Sequence, residues 1–176
     1  MLHSHTNNFL TPYDFSAALA LTPGERCQRC VAQIEEEYRR NGLGWWEDIP
    51  MVPPIGADQL EVEQLESNLG IALPIEYAWF LRQWCYLSGP TGMRIWGISY
   101  KNVSMGRPWV SETHNAPHEY LVFGDYWNYA DGDQLMFDLS IEETPVVAYL
   151  HEHGPLVEYF APSFSLALWR MVHEDA

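Results

Sequence analysis

Apolar residues recur at helical spacing up to residue 89 and at alternate positions over most of the chain after it. In TPGERCQRCVAQIEEEYRRNG (22–42), Cys27, Cys30, Val31, Ile34 and Tyr38 form one stripe, which predicts an amphipathic helix. Thr22 stands as N-cap, Pro23 at the first helical position and Glu25 three residues after the cap, a capping box. Arg39 and Arg40 suit the negative end of the dipole, and Gly42 follows as a stop. A second helix is expected in GADQLEVEQLESNLG, with Asp58 as cap, Leu60, Val62, Leu65 and Leu69 inward, and Gly70 at the end. A third is expected over 74–89, opened by Pro74, closed by Gly89, and packed through Tyr77, Phe80, Leu81, Trp84, Cys85 and Leu87.

After Pro90 the period becomes that of strands. MRIWGIS (93–99), YLVFGDYW (120–127), DQLMFDLS (133–140) and two segments within TPVVAYLHEHGPLVEYFA (144–161) read as strands. Asp131-Gly132 is the strongest hairpin signal in the chain, and a second turn is expected at Gly154-Pro155. PSFSLALWRMVHE (162–174) closes the chain as a helix. Residues 100–119 read as a loop or a decorated hairpin, and 1–21 as an irregular arm holding a short helical turn. Hairpin-joined strands are antiparallel, so the expected class is α+β, a mainly antiparallel twisted sheet with helices packed on it. Residues 1–56 are expected to form an N-terminal arm, helix and Trp/Pro-rich connector, with Trp45 and Trp46 docked on a domain spanning 57–176.

Composition narrows the function more than the fold. The chain has 176 residues, 47% of them hydrophobic, with 8 Trp and 10 Tyr, enough for one well-cored domain. Nine Lys and Arg stand against 24 Asp and Glu, a net charge of −15. Such a surface repels phosphate backbones and disfavours nucleic-acid binding, but it attracts a basic protein and speeds encounter with it. The N-terminal MLHSHTNNFLTPYDF lacks a basic start followed by an apolar run, and no segment reaches the length of a membrane span. Neither a signal peptide nor membrane association is expected, and a cytoplasmic location is.

The motifs that could carry chemistry have simpler explanations. Cys27-Gln-Arg-Cys30 has metal-ligand or redox spacing, but no second ligand pair follows at finger spacing and no strand precedes it. Both cysteines fall on the apolar stripe, where free Cys acts as a small hydrophobe. His151 and His153, with His114 and His118 in the long loop, sketch a metal site, yet the pair sits at an expected hairpin end and lacks a defined third ligand. The acids of GDYWNYADGDQLMFDL do not match a calcium loop. No activated nucleophile or phosphate loop appears. The expectation is therefore no catalytic residue, no metal and no cofactor. The favoured site is a partner-binding patch of Asp125, Trp127, Tyr129, Asp131 and Asp133, aromatic anchors among acids that complement a basic protein.

One run of residues adds a family resemblance. An acidic amphipathic helix, a Leu-Pro, an aromatic three residues on, a Phe three beyond that and a glycine turn stand here as Glu66, Leu69, Leu73, Pro74, Tyr77, Phe80 and Gly89. With YLVFGDYW, LMFDL ending in Asp138, VVAYLHEH and APSFSLALWRMV in order, the chain resembles the SUKH superfamily over roughly 57–173. LSGPTG departs from the Asn-Gly turn frequent in that group. The superfamily includes a fungal cell-wall-synthesis regulator and many bacterial immunity proteins. The resemblance implies an α+β binding protein that neutralises a secreted toxin, often a nuclease, and it transfers no catalytic residue. The alternatives are a regulatory scaffold for an endogenous partner and a metal-dependent hydrolase built on His151, His153 and nearby acids.

Overall fold

The computed structural model describes residues 9–41, 52–53, 55–89, 92–98, 106–112, 119–153 and 156–174, without the side chains of 112 and 153. Trp45, Trp46, Gly42, His114, His118 and the Gly154-Pro155 turn lie outside the described residues. Among the described residues, four helices precede seven strands and one follows them: α1 (Ser16–Leu19), α2 (Pro23–Asn41), α3 (Gln59–Leu69), α4 (Ile75–Trp84), β1 (Leu87–Ser88), β2 (Met93–Ile95), β3 (Trp109–Glu112), β4 (Glu119–Tyr126), β5 (Gln134–Asp138), β6 (Val146–Leu150), β7 (Leu156–Ala161) and α5 (Phe164–His173). The strands form one antiparallel sheet in the order β1-β2-β4-β5-β6-β7, with β3 also paired to β4. The α+β class is as expected.

Alternation along the strands decides which face meets the helices. Leu121 and Phe123 of β4, Leu135 and Phe137 of β5, and Val146, Ala148 and Leu150 of β6 point into the main core. There they meet Tyr77 and Phe80 of α4, Phe164 and Leu168 of α5, and Cys27, Val31 and Ile34 of α2. Aromatic rings join the layers: Phe123 and Phe137 lie 4.4 Å apart, and Tyr77 and Phe164 5.2 Å apart, centroid to centroid. Tyr77 is fully buried, and its hydroxyl donates to the Trp96 carbonyl beyond the end of β2. The opposite face carries a smaller cluster of Tyr120, Val122, Met136 and Val147.

The expected caps form. Thr22 and Glu25 bond reciprocally at the start of α2, and Asp58 and Glu61 do the same for α3, which Gly70 ends in a left-handed conformation at φ 70°. The start of α5 is satisfied from outside. Ser163 makes no side-chain cap, and the Glu76 carboxylate of α4 accepts from the Ser165 amide at 2.8 Å. Arg26 of α2, also buried, donates to the Ser165 hydroxyl at 2.9 Å and to the Ala18 and Leu21 carbonyls.

The structure corrects the third helix, which ends at Trp84 rather than at Gly89. Cys85 takes φ 46°, and Leu87 and Ser88 pair with Ile95 and Arg94 as β1. Gly89 therefore serves the β1–β2 turn, with its amide donating to the Met93 carbonyl at 2.7 Å. Strand β2 stops at Ile95 because Gly97 turns back against Cys85. The 100–119 region contains β3, the decorated-hairpin form of the expectation.

Cys27, Cys30 and Cys85 are free and buried, as the core reading of the CxxC pair requires. Burial pushes the Cys27 thiol up to about 12 and Cys85 to about 11, and it raises Cys30 further. In the unfolded chain thiols ionise near ~8.5, so above that pH the unfolded state loses protons first. The thiols' stabilising contribution is complete below pH ~8.5 and falls as pH rises toward the folded values. We expect the melting temperature to drop between pH 8 and pH 11, and none of the thiols to react with a disulfide reagent at pH 8 until the chain is unfolded. Rapid labelling of folded protein would contradict this placement.

Candidate protein-binding site

The β4–β5 hairpin is built around Asp131-Gly132. The Tyr126 amide donates to the Asp133 carbonyl at 3.1 Å and the Asp133 amide to that of Ala130 at 3.2 Å. Gly132 adopts φ 100°, and a Cβ there would stand 3.1 Å from the His151 ring. The backbone angle favours glycine, and a larger residue would also press on the His151 ring.

Of the residues expected at the patch, Asp131 is exposed, Trp127 and Tyr129 are half-buried, and Asp125 and Asp133 are buried. The two buried carboxylates narrow the expectation, because they brace the hairpin from inside. Asp133 accepts from the His151 amide at 3.0 Å and faces its Nδ1 at 3.1 Å, tying the tip to the end of β6. Asp125 accepts from the Trp96 indole at 3.0 Å. Burial raises the Asp125 carboxyl above the ordinary range, and the Trp96 bond and the Arg94 charge only partly oppose that. The Arg94 guanidinium lies 5.1 Å from the Trp127 ring centroid, a cation–π contact that fixes the indole.

A second brace comes from the C-terminal helix. The Tyr126 and Tyr129 hydroxyls both donate to Glu174 Oε2, at 3.1 and 2.6 Å. Arg170 holds the other carboxylate oxygen through Nε at 3.0 Å and Nη2 at 2.6 Å. The same guanidinium, only 2% exposed, donates to Phe160 O at 3.0 Å and Thr11 O at 3.1 Å. One buried cation thus ties the N-terminal arm, β7, α5 and the hairpin together. Sequence reasoning missed Arg170, Glu174 and the role of His151. The available signal was an arginine placed among the apolar positions of FSLALWRMVH.

Of the residues considered for a metal site, His114 and His118 lie outside the described residues. His151 to His153 form a single 3-10 turn rather than a strand. Among the described residues no group of three or more His, Cys, Asp or Glu is placed to hold a metal ion, and none of their helices is long and apolar enough to cross a membrane. The arrangement is a braced hairpin with an acidic, aromatic tip, beside which Glu152 is also exposed.

The model of the SMI1 / KNR4 family (SUKH-1) matches residues 56–168, from two residues before α3's cap Asp58 through the first half of α5. The chain belongs to the SUKH-1 family. The match covers α3, α4, every described strand and the hairpin. A search of curated proteins gave no match. SUKH-1 membership fits immunity or regulatory roles and points to interaction with proteins.

Proposed function

We propose that this SUKH-1 domain is a non-enzymatic cytoplasmic immunity protein that neutralises a basic toxin, of the nuclease kind, by direct one-to-one binding. The observation that carries the reading is the braced hairpin on a chain of net charge −15. Buried contacts hold Trp127 and Tyr129 in place before any partner arrives, which reduces the ordering cost of association. Asp131 and Glu152 stand exposed beside them. A nuclease must carry a basic surface to hold phosphates, and an acidic hairpin seated there blocks substrate by charge and bulk. Asp125 and Asp133 enter the interface as supports of the tip.

The test is titration of a co-encoded nuclease domain with this protein. Inhibition should be complete at one equivalent, and Asp131→Lys should weaken the complex about tenfold or more, since like charges then meet at the contact. A partner with no toxic activity that binds the same hairpin would replace the immunity role with the scaffold role. Undiminished binding by Asp131→Lys would remove the hairpin from the interface.

A further inference from the structure

Strand β7 ends the sheet, and among the described residues it pairs only with β6. The other strands with a single partner are shorter: β1 has two residues and β3 four, against six in β7. Its sequence, LVEYFA, joins branched and aromatic residues without proline, and Glu158 is its one charge. An edge strand of that length and composition is a template for pairing with another chain. Tyr159 stands 59% exposed on it.

The N-terminal arm lies along this edge. An open cleft of about 680 Å³ runs between them, walled by Leu10, Thr11 and Tyr13 on one side and by Leu156 to Phe160 on the other. Consecutive strand residues face opposite sides of a sheet, so a cleft that touches all five follows the edge rather than one face. The arm is not a strand of the sheet. Side chains hold it instead. Both carboxylate oxygens of Glu158 accept from consecutive arm amides, those of Phe9 and Leu10, each at 2.8 Å. One side chain thus supplies the acceptors that the carbonyls of a neighbouring strand would offer. Leu10 is buried in the main core. Arg170 donates to the Thr11 carbonyl at 3.1 Å, and its guanidinium lies 5.6 Å from the Tyr13 ring centroid. The family match begins at residue 56, so it includes β7 and leaves out the segment that covers it.

We propose that residues 9–13 are a guard strap: clamped by Glu158 and Arg170, they keep the β7 edge of one molecule from pairing with the β7 edge of a second copy. A charge on an edge strand ordinarily deters such pairing, and here the only charge of β7 is engaged by the arm. Two copies carry the same edge, and antiparallel pairing about a two-fold axis makes it self-complementary. The strap therefore keeps the domain single, whatever the hairpin binds.

The test is sedimentation of the full chain over a range of concentrations, with amide hydrogen exchange on the same samples. Salt at 0.15 M limits the reach of surface charge to about 8 Å, so the net charge of −15 does not mask association. The wild type should sediment as a monomer. Glu158→Ala removes the clamp and should speed exchange of the Leu10 amide by about tenfold or more. It should also form a dimer, with an association constant at least about tenfold above that of the wild type. Glu158→Gln keeps one acceptor oxygen and should fall between the two; it carries the same pair of readouts if Glu158→Ala does not fold. Adding Tyr159→Lys to Glu158→Ala puts a like charge on both edges. It should restore the monomer while the Leu10 amide stays fast. A released arm on a protein that remains monomeric would overturn the guard. So would an unchanged Leu10 amide, since Glu158 would then not be the clamp. A dimer that survives Tyr159→Lys would place the contact away from β7 and overturn it equally.

Discussion

Replacing Arg170 with methionine is expected to destabilise the protein by about 3–5 kcal/mol, the range for removing one partner of a buried ion pair. Methionine preserves much of the side-chain volume, so the loss isolates the polar contacts. It leaves the part-buried Glu174 carboxylate without its cation, and removes the Arg170 donors from the Phe160 and Thr11 carbonyls. Buried polar groups left unpaired cost more than the bonds contributed. The damage should spread along the brace. Hydrogen exchange should speed up in the arm near Thr11 and in the hairpin near Tyr126 and Tyr129, because Glu174 accepts from both tyrosines. Adding Glu174→Gln to Arg170→Met should recover part of the stability, since the stranded charge is removed. Urea unfolding measures the first effect. A loss under about 1 kcal/mol, within reach of an exposed pair, would mean that Arg170 is not the hub described.

Gly97→Ala is expected to cost about 3 kcal/mol or more, at the upper end of overpacking. A Cβ at this position would lie 2.0 Å from the Cys85 carbonyl oxygen and 2.6 Å from Leu81 Cδ2. The first contact is with backbone, which cannot swing aside. Relief requires separating the segment after β2 from the end of α4, and with it the Ile98 amide to Cys85 carbonyl bond of 3.1 Å. Gly70→Ala makes an instructive comparison. Nothing lies within 4 Å of its Cβ, but its φ is 70°. It should cost only the left-handed penalty of about 1–2 kcal/mol. Unfolding curves that rank the two substitutions in the reverse order would contradict the close approach at Gly97.

Local signals were readable, and long-range ones were not. Thr22 with Glu25, Asp58 with Glu61, Gly70 and Asp131-Gly132 act within a few residues, so their caps and turn follow from short windows of sequence. The end of α4 was misplaced because nothing in WCYLSG opposes continued helix. The chain leaves the helix at Cys85 because Leu87 and Ser88 find partners in Ile95 and Arg94, and Tyr86 and Leu87 become fully buried. Leu60 fits the apolar stripe of α3, but among the described residues none covers its side of the helix, and it stays exposed. At the hairpin, turn acids ordinarily face water. Asp125 and Asp133 turn inward because the Trp96 indole and the His151 amide come from elements 29 and 18 residues away. The identity of the hairpin was legible; its internal bracing depended on contacts between distant parts of the chain.

The central claim is that an acidic, pre-braced hairpin captures a basic partner through charge. It is tested most directly by stopped-flow association with the co-encoded toxin domain across ionic strength. Screening shortens the reach of surface charge from about 30 Å at 0.01 M salt to about 8 Å at 0.15 M. The wild-type association rate constant should therefore fall by about tenfold or more across that range, and Asp131→Lys should lower it further at low salt while the dissociation rate changes less. A rate constant that is flat with salt and indifferent to Asp131→Lys would contradict the account.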